Sequence, residues 1–272
     1  MSCIQALFFA RKGEKMTPQD LLTALRDQKP LVQCMTNYVA MNIAANVVLA
    51  AGASPAMVHA EEEIADFTPL CGALSINIGT ISTPWLASMI AAARVANDRK
   101  IPWVLDPVAH FISDYRKCAA QDLLALRPTI VRGNASEILA LAGEAGAGKG
   151  ADSGDSVEAA QGAARALAQK FDAVVAITGP VDFVTDGSQE AQVSGGSDLM
   201  PQVTALGCSQ TALMGAYVAT GPAFQAALAG LAHFKLAGTA AGKLANGPGS
   251  FQMHFLDALA ATQPGELASV IS

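Results

Sequence analysis

Four short stretches, 73–78, 102–105, 129–132 and 173–177, read as strands; 102–105 and 173–177 are apolar throughout, and each stretch stops at a polar or glycine-bearing step. A strand with one wet face alternates apolar and polar residues, whereas a strand covered on both faces is apolar throughout. Between these stretches the apolar residues recur at helical spacing, as in Leu21, Leu22 and Leu25 after the Thr17-Pro18 start signal. Strand and helix therefore alternate, which predicts an α/β fold with a largely parallel central sheet and helices on both faces. Further strands are expected at 31–36 and 56–59, and two shorter, more polar ones at 182–185 and 190–193. Helices are expected at 42–51, closed by Gly52, and at 62–70, 83–97, 114–126, 135–141, 157–170, 208–220, 223–244 and 250–262.

Ligands of such a sheet bind beyond the carboxyl ends of its strands. The residues just past those ends are Asn37, Gly79-Thr80, Asp106-Pro107, Arg132-Gly133-Asn134 and Thr178-Gly179, a polar set in an apolar chain. The loops G-x-G-x-x-G and G-x-x-x-x-G-K-[ST] are both absent from the places a Rossmann or P-loop site needs them. The turn Val203-Thr204-Ala205-Leu206-Gly207-Cys208 leads into a long apolar helix, whose unpaired N–H groups and partial positive charge suit a phosphoryl group in transit. Cys208 would then stand near an accepting hydroxyl. The same turn also reads as an ordinary loop–helix junction with a buried cysteine.

Asn134 and Glu137 carry two readings as well. They fit a helix capping box, and they fit a pair that holds Mg²⁺-bound water beside the phosphates, with Arg132 supplying positive charge. Asp106 is either a cap or a carboxylate for metal or substrate. His59, His110, His233 and His254 lack metal-ligand spacing and read as surface or satisfied core residues. Met35, Met41 and Met57, near the first strand ends, read as core filler, although such side chains also suit a flat heteroaromatic ligand.

Composition narrows the function classes. Of 272 residues, 51% are hydrophobic and 15% charged, a compact enzyme-like balance that hints at surface hidden in an oligomer. The net charge of −6 without a Lys/Arg run argues against nucleic acid, and no apolar run reaches membrane-spanning length. Five scattered cysteines without C-x-x-C spacing point to a reducing, cytoplasmic setting. Residues 1–15 read as a disordered lead-in, with Met16 an alternative start, and 16–272 as a single domain with a mobile loop at 143–153.

Six stretches in order, CMTNYVAMNIAANVVLAAGASPAMV, ALSINIGT, PWVLDPVA, VRGNASEILALAG, VVAITGPVDFVTDG and GPGSF, resemble the hydroxyethylthiazole kinases of thiamine salvage, in the ribokinase-like superfamily. The resemblance implies ATP-dependent phosphorylation of the primary alcohol of 4-methyl-5-(2-hydroxyethyl)thiazole, Mg²⁺, and a homotrimer with active sites between subunits. By that resemblance Met57, Asn37 and Ala205 contact the thiazole, Arg132 and Thr178 the nucleotide phosphates, and Asn134, Glu137 and Asp106 the metal through water or phosphate. Cys208 takes the place where related kinases keep a catalytic aspartate, with Gly207 beside it. A helix start is expected to lower its thiol pKa, and the trimer to bring Met57 and Asn37 of one subunit towards Cys208 of its neighbour. Two stretches depart from the family pattern: Ala205-Leu206, where a glycine and a small residue are usual, and the bulky His110-Phe111-Ile112-Ser113. These positions point to slowed or retuned turnover, towards another small primary alcohol or an impaired thiazole- or nucleotide-binding relative.

Overall fold

The structure is a computed structural model that describes residues 16–144 and 155–272. The expectations for 1–15, and for 145–153 of the expected loop, lie outside the described residues. Eight strands form one sheet in the order β2-β1-β3-β4-β5-β6-β7-β8. They are β1 Leu31–Met35, β2 Ser54–Ala56, β3 Ala73–Asn77, β4 Trp103–Asp106, β5 Ile130–Asn134, β6 Val174–Thr178, β7 Asp182–Thr185 and β8 Glu190–Val193. The first six run parallel, and β7 and β8 close one edge antiparallel.

Alternate residues of the apolar strands feed two separate cores. Val32, Cys34, Val104, Ile130, Val174 and Ala176 face one side; Met35, Leu74, Ile76, Leu105, Val131, Val175 and Ile177 face the other. The first side is covered by α1 Pro18–Gln28, α2 Met41–Ala51, α8 Leu206–Val218, α9 Ala223–Leu244 and α10 Pro248–Ala261. The second is covered by α3 Glu61–Phe67, α4 Thr83–Asp98, α5 Asp114–Ala125, α6 Ala135–Ala142 and α7 Val157–Phe171.

Local signals set the helix ends. Thr17 and Asp20 form a capping box ahead of Pro18, and Gly52 ends α2 in the left-handed region at φ 108°. Several expected bounds shift: β5 runs on to Asn134 rather than ending at 132, α3 ends at Phe67 rather than 70, and β2 and α8 both start early. Strand β2 starts two residues before the expected 56, with Pro55 inside it, because an edge strand can spare an N–H. Helix α8 starts at Leu206, so Cys208 lies within its first turn rather than at its mouth. Every residue of α8 from Ser209 to Val218 is buried, so this helix lies inside the molecule, between the sheet and the helices α2 and α9.

Candidate active site

Adjacent strands deliver their last residues to one edge of the sheet. Asn77 and Asp106 are register partners at the ends of β3 and β4, as are Asn134 and Thr178 at the ends of β5 and β6. Asn37 follows β1 by two residues. The buried helix α8 enters from the same end, and its first turn faces this polar row.

A hydrogen-bonded chain crosses the row. Asp106 Oδ2 accepts from Thr211 Oγ1 at 2.7 Å, from Asn77 Nδ2 at 2.8 Å and from Arg132 Nη1 at 3.4 Å. Asn77 Oδ1 accepts from Asn37 Nδ2 at 2.7 Å, and that amide lies 3.4 Å from Cys208 Sγ. Asn37 Oδ1 accepts the N–H groups of Val39 and Ala40, which fixes the amide's orientation. Gly79 is required behind it, since a Cβ there would stand 2.6 Å from Asn37 Nδ2. Asn37 thus meets Cys208 within one chain, which corrects the expectation that it would reach the cysteine of a neighbouring subunit.

The basic side is built by Arg132 and the start of α8. Arg132 Nη2 donates to Thr178 Oγ1 at 2.7 Å, and the buried Nε has no partner among the described residues. A Cβ at Gly207 would lie 3.0 Å from Arg132 Nη2, so glycine lets the guanidinium approach the helix start. Leu206 N–H bonds Val203 O at 3.4 Å, and the first N–H to bond back into the helix is that of Ser209, to Ala205 O at 3.0 Å. The Gly207 and Cys208 N–H groups between them remain as helix-start donors. Gly207 lines a cavity of about 470 Å³ together with Arg132, Thr178, Gly195, Gly196 and Lys235. Lys235 is buried in α9, where its Nζ donates to the Gly179 and Pro180 carbonyls at 2.6 and 3.0 Å and pairs with Asp182 at 3.2 Å.

On the carboxylate side the capping box is present: Asn134 Oδ1 accepts Glu137 N–H at 2.9 Å, and Glu137 Oε2 accepts Asn134 N–H at 2.8 Å. Glu137 Oε1 also accepts Ala109 N–H at 2.9 Å, so the cap reaches the loop after β4. Burial, reinforced by the Asp106 charge, pushes Glu137 up to about 7. Burial likewise raises Asp106, with Arg132 opposing it, and Asp106 Oδ1 is buried without a partner among the described residues. Two such carboxylates and an unsatisfied oxygen fit a divalent cation. No cluster of three His, Cys, Asp or Glu that could hold a metal occurs among the described residues.

The expected acidification of Cys208 is overturned. Burial and the Asp106 charge push its thiol up to about 11, outweighing Arg132 and the two asparagines. Met57 follows β2, half-buried against the core, and its carbonyl is 3.1 Å from His59 Nδ1, whose Nε2 accepts Thr36 N–H at 3.2 Å. His59 so links Met57 to the strand end that carries Asn37. Ala205 is left-handed at φ 58°, and Leu206, 2% exposed, belongs to the core as well as the cavity wall. The His110–Ile112 stretch forms one 3-10 turn after a left-handed Ala109, with the His110 ring buried. Asn77, Thr211, Asp182 and Lys235 were missed in the sequence; only Lys235, a cation midway along a largely apolar helix, left a local signal.

A family model described as the hydroxyethylthiazole kinase family matches residues 22–264. A protein of Roseobacter denitrificans named hydroxyethylthiazole kinase is 80% identical over 256 residues, 94% of this chain and 100% of its own length. The chain belongs to the hydroxyethylthiazole kinase family. A solved hydroxyethylthiazole kinase structure from Pyrococcus horikoshii superposes with a TM-score of 0.87 at 36% identity, covering 94% of this chain and 97% of that one. A ribokinase-like superfamily protein from Enterococcus faecalis shares the fold, with a TM-score of 0.64 at 9% identity over 93% of this chain and 100% of that chain. The chain thus has the ribokinase-like architecture within the hydroxyethylthiazole kinase family.

Proposed function

We propose that the chain transfers the γ-phosphoryl group of ATP to the primary alcohol of 4-methyl-5-(2-hydroxyethyl)thiazole, in cytoplasmic thiamine salvage and as a homotrimer. The observation that carries this reading is the meeting of Arg132, Thr178 and the α8 start with the Asn37–Cys208 pair. One group of residues suits phosphates and the other suits a small alcohol, and they share a single helix turn.

In this reading Arg132, Thr178 and the Gly207 and Cys208 N–H groups bind the phosphates and stabilise charge on the transferring group. Asn37 and Met57 hold the thiazole, with Ala205 at the turn beside it. Cys208 remains a thiol at neutral pH and so places the hydroxyl rather than ionising it. A loose transition state releases the alcohol proton late, which tolerates a weak acceptor. Asp106, Asn134 and Glu137 would hold Mg²⁺ through water or phosphate, where it would supply positive charge to offset that of the phosphates. No helix of the described residues is long and apolar enough to cross a membrane.

The test is ADP release with Mg–ATP across a panel of primary alcohols. Turnover should be greatest with the thiazole alcohol. Turnover confined to another alcohol, or nucleotide binding without ADP release under any alcohol, overturns the reading.

A further inference from the structure

Arg116 stands in the first turn of α5, where the helix macrodipole disfavours a cation. Among the described residues no carboxylate lies within ion-pair distance of it. Its guanidinium instead donates to three backbone carbonyls in two loops. Nη1 reaches Ile78 O at 2.9 Å and Val108 O at 3.1 Å, and Nη2 reaches Gly79 O. Partial burial of such a fork against neutral carbonyls costs some solvation, with no carboxylate to offset it.

Those loops are the two that back opposite halves of the site. Gly79 N–H donates to Asn77 Oδ1 at 2.9 Å, the oxygen that also receives Asn37 Nδ2. The next residue, Thr80, accepts Tyr38 N–H at 3.0 Å, so this loop holds the Asn37 segment from behind. Val108 precedes Ala109, whose N–H holds Glu137 Oε1. One planar cation therefore ties the wall carrying Asn37 and Cys208 to the wall carrying Glu137, just past the ladder bond from Ile78 N–H to Asp106 O at 3.2 Å.

We infer that Arg116 is a positioning residue that sets the spacing between the alcohol-holding and Glu137 halves of the site. It touches neither substrate nor the reacting group. The inference rests on the kinase reading for its catalytic consequence, and on geometry alone for its structural one.

The test compares Arg116→Ala and Arg116→Lys with the unaltered protein in three readouts: turnover of the thiazole alcohol at saturating ATP, ADP affinity by calorimetry, and hydrogen exchange. Arg116→Ala should lose about 10²-fold in kcat, the size of loss a small misplacement causes, while ADP affinity stays within about twofold. Exchange at the Gly79 and Ala109 amides should quicken by about tenfold or more. Millimolar methylguanidinium, but not sodium chloride at equal ionic strength, should restore part of kcat and slow both amides. Arg116→Lys, which keeps the charge without the fork, should fold and fall between the two; it carries the test if Arg116→Ala does not fold. Unchanged kcat with unchanged exchange overturns the inference, and so does a loss that methylguanidinium does not relieve. If the unaltered protein turns over no thiazole alcohol, the kinase reading fails instead, and exchange at the two amides still decides the role of Arg116.

Discussion

Ala205 holds a left-handed conformation with a methyl group in place, at the turn that leads into α8. That conformation costs an L-residue about 1–2 kcal/mol, while glycine's extra freedom in the unfolded chain returns about 0.4–1 kcal/mol. Ala205→Gly should therefore stabilise the protein by about 0.5–1 kcal/mol in urea denaturation, and raise kcat/KM for the thiazole alcohol. A loss of stability would mean that the turn does not need the left-handed state. Cys208 gives a second expectation. A carboxylate at that depth beside Asp106 would titrate nearer neutrality than a thiol held at about 11, closer to the useful range for a general base. Cys208→Asp should exceed the unaltered protein in kcat, and Cys208→Ala should keep part of it, since placement of the phosphates is untouched. If the Asp variant is no faster than the Ala variant, Cys208 serves packing. Asn37, Asp106, Arg132, Asn134, Glu137 and Thr178 were legible as candidates because each follows a strand that reads as apolar. Asn77, Thr211 and Arg116 were not, because their partners are set by the β1–β3–β4 pairing and by where α8 and α5 land.

Among the elements, β7 and β8 carry the expected bounds, since turn residues bracket both. Helix α8 was harder to delimit, because a helix buried all round has no polar face to mark its phase. The helical layer beneath the site holds one titratable tie. His233 of α9 bonds Tyr217 Oη of α8 through Nδ1 at 2.8 Å and the Leu259 carbonyl of α10 through Nε2 at 2.8 Å. A carbonyl only accepts, so Nε2 carries the proton and Nδ1 accepts from the tyrosine. Burial lowers His233 to about 4, against an ordinary 6.5. Its contribution is then fully present above pH 6.5 and is lost as the pH falls towards 4, by about 3 kcal/mol. Unfolding curves of the unaltered protein and of His233→Gln should diverge in slope across that window, with the unaltered protein losing more on acidification. Parallel pH profiles would show that His233 does not titrate as the fold implies.

For the molecule as a whole, the sheet and its double cover were legible because uninterrupted apolar strands have few other places to go. The strand order was not, since nothing local places β1 between β2 and β3. Tyr38, Val39, Leu49 and Leu70 are exposed in the single chain, and only 15% of the sequence is charged. Light scattering should give a trimer mass; a monomer with full activity would reject the assembly.

Helix α8 occupies the interior yet comes late in the chain, and this sets an order of events during synthesis. About 175 residues separate Leu31 of β1 from Leu206, an interval of roughly 10–35 s on a ribosome. Throughout it, one face of the nascent sheet lacks the helix that covers β1, β3 and β4. Its closure depends on contacts far apart in sequence, which form slowly and leave apolar surface open to chaperones or to aggregation. The turn proposed to bind phosphate is the leading end of that same helix. On that proposal, nucleotide affinity would arrive only with the closing of the core.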